Sequence, residues 1–126
     1  MGNGYRLLVV EDDRNLCESL ADVLRLCGYE VDTAQDGEEA LERLRAAPRP
    51  DAVLLDVVLP RMGSQALLVR LRGGAAPSPA VVLMSGMVPG HDGIPADVLV
   101  KPFEIQELLA RVERACGAPP APALSP

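Results

Sequence analysis

No two cysteines in this chain form a CxxC pair, and their number, three, is odd. Neither a thiolate metal site nor a closed disulfide framework is therefore indicated. Cys17, Cys27 and Cys116 all fall in segments of helical spacing and read as small hydrophobes in a reducing compartment. The single histidine, His91, lies in a Gly/Pro-rich loop with no partner motif and reads as a solvent-exposed residue rather than a base or ligand. No apolar run is long enough to cross a bilayer, and the short polar stretch before the first strand lacks a signal-peptide pattern. Basic residues are the minority, 12 Lys and Arg against 18 Asp and Glu, for a formal net charge of −6. That balance argues against non-specific nucleic-acid binding, which needs a basic face. The expectation is a cytoplasmic protein with no direct contact to nucleic acid or membrane. Its 126 residues suit one domain with a sizeable core.

What the chain does have is a set of short apolar runs that end in charge. Leu7-Leu8-Val9-Val10 leads into Glu11-Asp12-Asp13. Ala52-Val53-Leu54-Leu55 leads into Asp56, and Val98-Leu99-Val100 into Lys101-Pro102. Between them lie segments of helical period. Residues 15–27 carry Leu16, Leu20, Val23, Leu24 and Cys27 on one stripe, with Asp13 as N-cap and Gly28 as terminator. Residues 36–47 carry Ala40, Leu41 and Leu44 inward before Pro48 and Pro50. Residues 30–34 alternate and read as an edge strand. A third helix after Ser64 is expected to carry Leu67, Leu68 and Leu71. Residues 80–84 form another buried strand ahead of Ser85-Gly86. A last amphipathic helix over 103–116 turns Leu108, Leu109 and Val112 inward, with Phe103 anchoring it. Wholly apolar strands alternating with helices imply a parallel sheet covered on both faces. Ligands of such sheets bind beyond the carboxyl ends of the strands, where Glu11, Asp12, Asp56, Ser85 and Lys101 all fall.

Three carboxylates brought within a few ångströms repel one another, and a divalent cation keeps them ionised. All-oxygen ligation suits Mg²⁺, with Glu11, Asp12, Asp56 and the main-chain carbonyl of Val58 as candidate ligands. Beside such an ion the Asp56 carboxylate is a candidate nucleophile toward phosphorus. Lys101 offers an ammonium group, Ser85 a hydroxyl donor and Gly86 room for a phosphate to enter.

The residues Leu7 to Asp13, Gly28-Tyr29-Glu30-Val31, Asp36 to Leu41, Asp56 with Leu59-Pro60-Arg61-Met62, Met84-Ser85-Gly86 and Lys101-Pro102-Phe103 together resemble the receiver domain of two-component response regulators and hybrid histidine kinases. The resemblance runs from about residue 5 to residue 116. It implies a doubly wound α/β fold with a five-stranded parallel sheet in the flavodoxin-like order 2-1-3-4-5. It implies that Glu11 and Asp12 bind Mg²⁺. Asp56 takes a phosphoryl group from a histidine kinase, a phosphotransfer protein or a small phosphodonor, and Ser85 and Lys101 contact the phosphate. Lys101-Pro102 becomes a candidate cis bond. Such a domain is a phosphoacceptor switch that alters the binding of a downstream protein; it is not an enzyme in the ordinary sense, although its own phosphorylation and dephosphorylation involve its own residues. Residues 1–117 are expected to form the receiver and 118–126 an Ala/Pro-rich disordered tail or linker stub. A stand-alone regulator and a receiver of a larger kinase both fit.

Four departures from the family pattern stand out. Val98 replaces the aromatic usual three residues before the lysine. The segment between Ser85 and Lys101 is short and carries Pro89, Gly90, Gly93 and Pro95, so the fourth helix is expected to be missing or much reduced. Gly63-Ser64 replaces a common Asp-Gly. Val58, two residues after Asp56, is apolar and is expected to slow loss of the phosphoryl group. Two other functions compete with the switch. A Mg²⁺-dependent phosphohydrolase would want an acid where Val58 stands. A pseudo-receiver, a binding module that is not phosphorylated, is favoured by Val98 and the short crossover and opposed by the complete Glu11, Asp12, Asp56, Ser85 and Lys101 set.

Overall fold

Strands that are apolar on both sides need cover on both faces, and the chain supplies it by alternating strands with helices. The structure, a computed structural model, describes residues 4–46, 48–57, 66, 67, 69, 79–86 and 97–117. The elements are β1 (Arg6–Val10), α1 (Arg14–Leu26), β2 (Glu30–Ala34), α2 (Gly37–Arg45), β3 (Ala52–Asp56), β4 (Ala80–Ser85), β5 (Asp97–Val100) and α3 (Ile105–Ala115). Ala66, Leu67 and Val69, between β3 and β4, are also helical. The five strands form one parallel sheet in the order β2-β1-β3-β4-β5. The remainder of the expected third helix, the segment 87–96 where a reduced fourth helix was expected, Gly63-Ser64 and the tail 118–126 lie outside the described residues.

The period of two along each strand sorts the core into two clusters. Leu7, Val9, Ala52, Leu54, Val82, Met84 and Leu99 face one side, with Cys17, Leu20, Ala21 and Leu24 of α1 and Leu108 and Val112 of α3. Leu8, Val10, Val53, Leu55 and Leu83 face the other, with Ala40 and Leu44 of α2 and with Leu67. Phe103 packs partly buried against the first cluster and Val98 against the second. Cys17 is buried, and burial pushes its thiol up to about 11. It is an uncharged core group at neutral pH, as its hydrophobic reading requires.

Local chemistry fixes where the helices start and stop. The Asp13 carboxylate accepts the Leu16 N–H at 3.2 Å and caps α1; Asp36 accepts the Glu39 N–H at 2.8 Å and caps α2. At the far end of α1, Gly28 has φ 97°, a conformation only glycine adopts cheaply. The Gly28 N–H then donates to Arg25 O (3.0 Å) and the Tyr29 N–H to Leu24 O (3.1 Å), the paired bonds of a Schellman ending. Glu104 and Glu107 form a reciprocal capping box at the start of α3.

Candidate functional site

Pairing register brings the strand ends to one rim. Val10 lies opposite Leu55, Asp56 opposite Met84, and Ser85 opposite Val100. One further step along β1 sets Glu11 beside Asp56, and one step beyond β5 brings Lys101 level with Gly86, one place past Ser85. Main-chain bonds hold this rim: Glu11 N–H to Ala34 O at 3.0 Å, Val57 N–H to Met84 O at 2.9 Å and Lys101 N–H to Ser85 O at 2.7 Å. The Lys101–Pro102 peptide is cis.

The side chains converge as the sequence predicts. Glu11, Asp12 and Asp56 each present a carboxylate oxygen, and these oxygens lie within 4.8 Å of one another. Glu11 and Asp56 are buried, at 1% and 6% exposure, while Asp12 is exposed. Lys101 Nζ donates to Glu11 Oε1 at 2.8 Å and lies 3.7 Å from Asp56 Oδ2. The second Glu11 oxygen, Oε2, accepts the Asp13 N–H at 3.2 Å. Ser85 is buried at the same rim. A Cβ built on Gly86 would meet only open space, consistent with an approachable mouth. The carbonyl of Val58 lies outside the described residues.

Among the described residues, Lys101 bridges the two buried carboxylates, Glu11 and Asp56. Burial raises the Glu11 carboxyl above its ordinary range; the Lys101 hydrogen bond opposes that, but the neighbouring Asp56 adds to it, and the net shift is upward. Burial alone would lower the Lys101 ammonium, yet its bond to Glu11 and the charge of Asp56 outweigh burial and raise it. The first direction reflects burial with a neighbouring carboxylate, the second two acids beside one ammonium group. The donor set is all oxygen and mostly buried, with three carboxylates close together. That fits a hard divalent cation and fits no thiolate- or imidazole-preferring metal.

Sequence reasoning missed two features of this rim. Lys101 stands closer to Glu11 than to Asp56, and the main chain of Asp13, read only as a helix cap, also holds Glu11. Neither has a local signal, because each depends on how two strand ends meet in space.

The family model described as "Response regulator receiver domain" matches residues 7–113. Response regulator MprA of Mycolicibacterium vanbaalenii is 46% identical over 112 residues, covering 85% of this chain and 48% of that protein. Response regulator MprA of Mycobacterium tuberculosis is 45% identical over the same length, with the same coverage. The chain thus spans about half the length of the curated relatives it matches. Among solved structures, the response regulator TrrA of Thermotoga maritima in complex with Mg²⁺ and BeF superposes with a TM-score of 0.77 at 30% identity, over 88% of this chain and 98% of that one.

Proposed function

The chain belongs to the response regulator receiver domain family, and from that premise we propose that Asp56 accepts a phosphoryl group from the phosphohistidine of a histidine kinase or phosphotransfer protein, or from a small phosphodonor. The observation that carries this reading is the ammonium group of Lys101, set 2.8 Å from Glu11 and 3.7 Å from Asp56 at the rim of the sheet. A carboxylate oxygen of Asp56 attacks phosphorus. The new P–O bond forms as the P–N bond to the donor imidazole breaks, and the imidazole leaves with that electron pair. Lys101 draws its ammonium toward the incoming phosphoryl oxygens, and the Ser85 hydroxyl donates to one of them. Glu11, Asp12, Asp56 and the carbonyl of Val58 would hold Mg²⁺. When bound, the ion supplies the positive charge that offsets phosphoryl and carboxylate oxygens together.

The protein acts in this reading as a switch rather than an enzyme with turnover, since the acyl phosphate stays on the chain until water removes it. Val58, apolar where a polar side chain could position that water, slows the loss. The receiver unit is residues 1–117, with 118–126 a tail or linker. It works in the cytoplasm and changes the binding of a downstream protein without touching nucleic acid itself; among the described residues no helix is long and apolar enough to cross a membrane.

Incubation with acetyl phosphate and Mg²⁺, followed by intact-mass and peptide mass spectrometry, tests the reading. Addition of one phosphoryl group at Asp56 supports it. No modification would return the protein to the interaction-module reading, and steady release of phosphate from phosphoesters would make it a hydrolase.

A further inference from the structure

The outer edge of β2 is closed by two arginines, one from each layer of helices. β2 ends the sheet. The Glu30 N–H donates inward to Tyr5 O and Ala34 O accepts inward from the Glu11 N–H, so alternation turns the main-chain groups of Val31 and Thr33 outward. Such an unpaired row is a template for another strand. Arg25, on α1, donates from Nη2 to Val31 O at 2.8 Å. Arg43, on α2, donates from Nε to Thr33 O at 3.3 Å. Each guanidinium is steadied by an acid on its own helix, Arg25 by Asp22 at 3.7 Å and Arg43 by Glu39 at 3.4 Å. Both outward carbonyls are therefore occupied, from opposite faces of the sheet.

We propose that Arg25 and Arg43 guard this edge against pairing with a second copy of the chain. The edge is self-complementary. In an antiparallel arrangement about a two-fold axis, Val31 of one copy exchanges both main-chain bonds with Thr33 of the other, and Thr33 with Val31, which is the isologous geometry of a closed dimer. That axis passes between the two copies of Asp32, so like charges face each other at its centre and add to the barrier. An incoming strand must first displace both guanidinium groups, which stand half exposed on the solvent side of the edge, at 51% and 49%. The inference does not depend on phosphoryl transfer at Asp56.

Sedimentation velocity of the whole chain over a range of concentrations tests it, with far-UV circular dichroism to establish folding. The R25A/R43A variant is expected to self-associate about tenfold more tightly than the parent, or more. Adding Thr33→Pro to that variant is expected to abolish the gain, because proline removes an outward N–H and leaves the pairing with β1 intact. A folded R25A/R43A chain that associates no more than the parent overturns the proposal, as does association that survives Thr33→Pro. If the double variant loses its cooperative melt, the single variants R25A and R43A are read by the same criterion. Each frees one carbonyl, and a folded single variant with no gain overturns the proposal.

Discussion

Asp51 precedes β3 and Asp56 ends it. The first is exposed and accepts the Arg6 N–H through Oδ2 at 2.8 Å. It ties β3 to β1 at the amino rim of the sheet, where Arg6 also meets Glu30 at 3.1 Å. Every charge in that group faces an opposite charge or a main-chain donor in contact with water. The second aspartate is buried beside two further carboxylates and shares Lys101 with one of them, Glu11. Two residues of the same type at the two ends of one strand therefore differ in what surrounds them. At the amino rim charge is balanced and holds strands together. At the carboxyl rim the fold holds three carboxylates together, at a cost in stability that binding of a cation can relieve.

The sharpest way to break this contrast is to neutralise each aspartate in turn. Asp56→Asn is expected to abolish phosphoryl incorporation from acetyl phosphate, while Asp51→Asn leaves it intact; mass spectrometry of the two variants reads the difference, and incorporation into Asp56→Asn would end the argument. Lys101→Ala is expected to slow incorporation by about a hundredfold, the usual effect of deleting one donor to developing charge. A time course indistinguishable from the parent's would show that the lysine serves only to offset Glu11.

A third test uses pH. The Glu11 carboxyl titrates above its ordinary value of 4.5 in the folded chain. Folding therefore favours its protonated form. The stability it contributes is complete below that ordinary value and is lost as pH rises through the raised folded value. In buffer free of divalent cations, the melting temperature is expected to carry a falling component across that interval. Glu11→Gln should flatten it, and Mg²⁺ should lessen it; an unchanged profile in Glu11→Gln would assign the slope elsewhere. The smallest effect belongs to the amino rim. Asp51→Ala should cost about 1 kcal/mol of unfolding free energy, the worth of one exposed hydrogen bond, as read by urea denaturation, with phosphoryl incorporation unaltered.

Much of the carboxyl rim could be read in the sequence because burial on both faces writes parallel strands as unbroken apolar runs, and a charge that ends such a run stands out. β1, β2 and β5 fall where expected, and Asp13 and Asp36 cap their helices. Boundaries moved by a residue or two: β4 continues through Ser85, and α3 starts at Ile105 rather than Phe103. The stripe drawn through α1 left out Cys17 and Ala21, both buried, since small residues contribute little to a hydrophobic periodicity. The amino rim and the outer edge of β2 were not legible. Asp51 looks like any loop acid, and Arg25 and Arg43 look like ordinary helix-surface charges. Their partners are main-chain groups of elements remote in sequence or across a turn, and only the assembled register decides which carbonyl or N–H each one meets.

The Gly28 turn leaves almost no slack between α1 and β2: Tyr29 is buried, and Glu30 already donates to Tyr5 O. Lengthening that connection by a single residue would slide β2 one place along β1. Because side chains alternate, Val31 would then trade sides with its charged neighbours. The edge strand would be turned inside out, and the chain would have to choose between burying Glu30 and Asp32 and giving up its outermost strand.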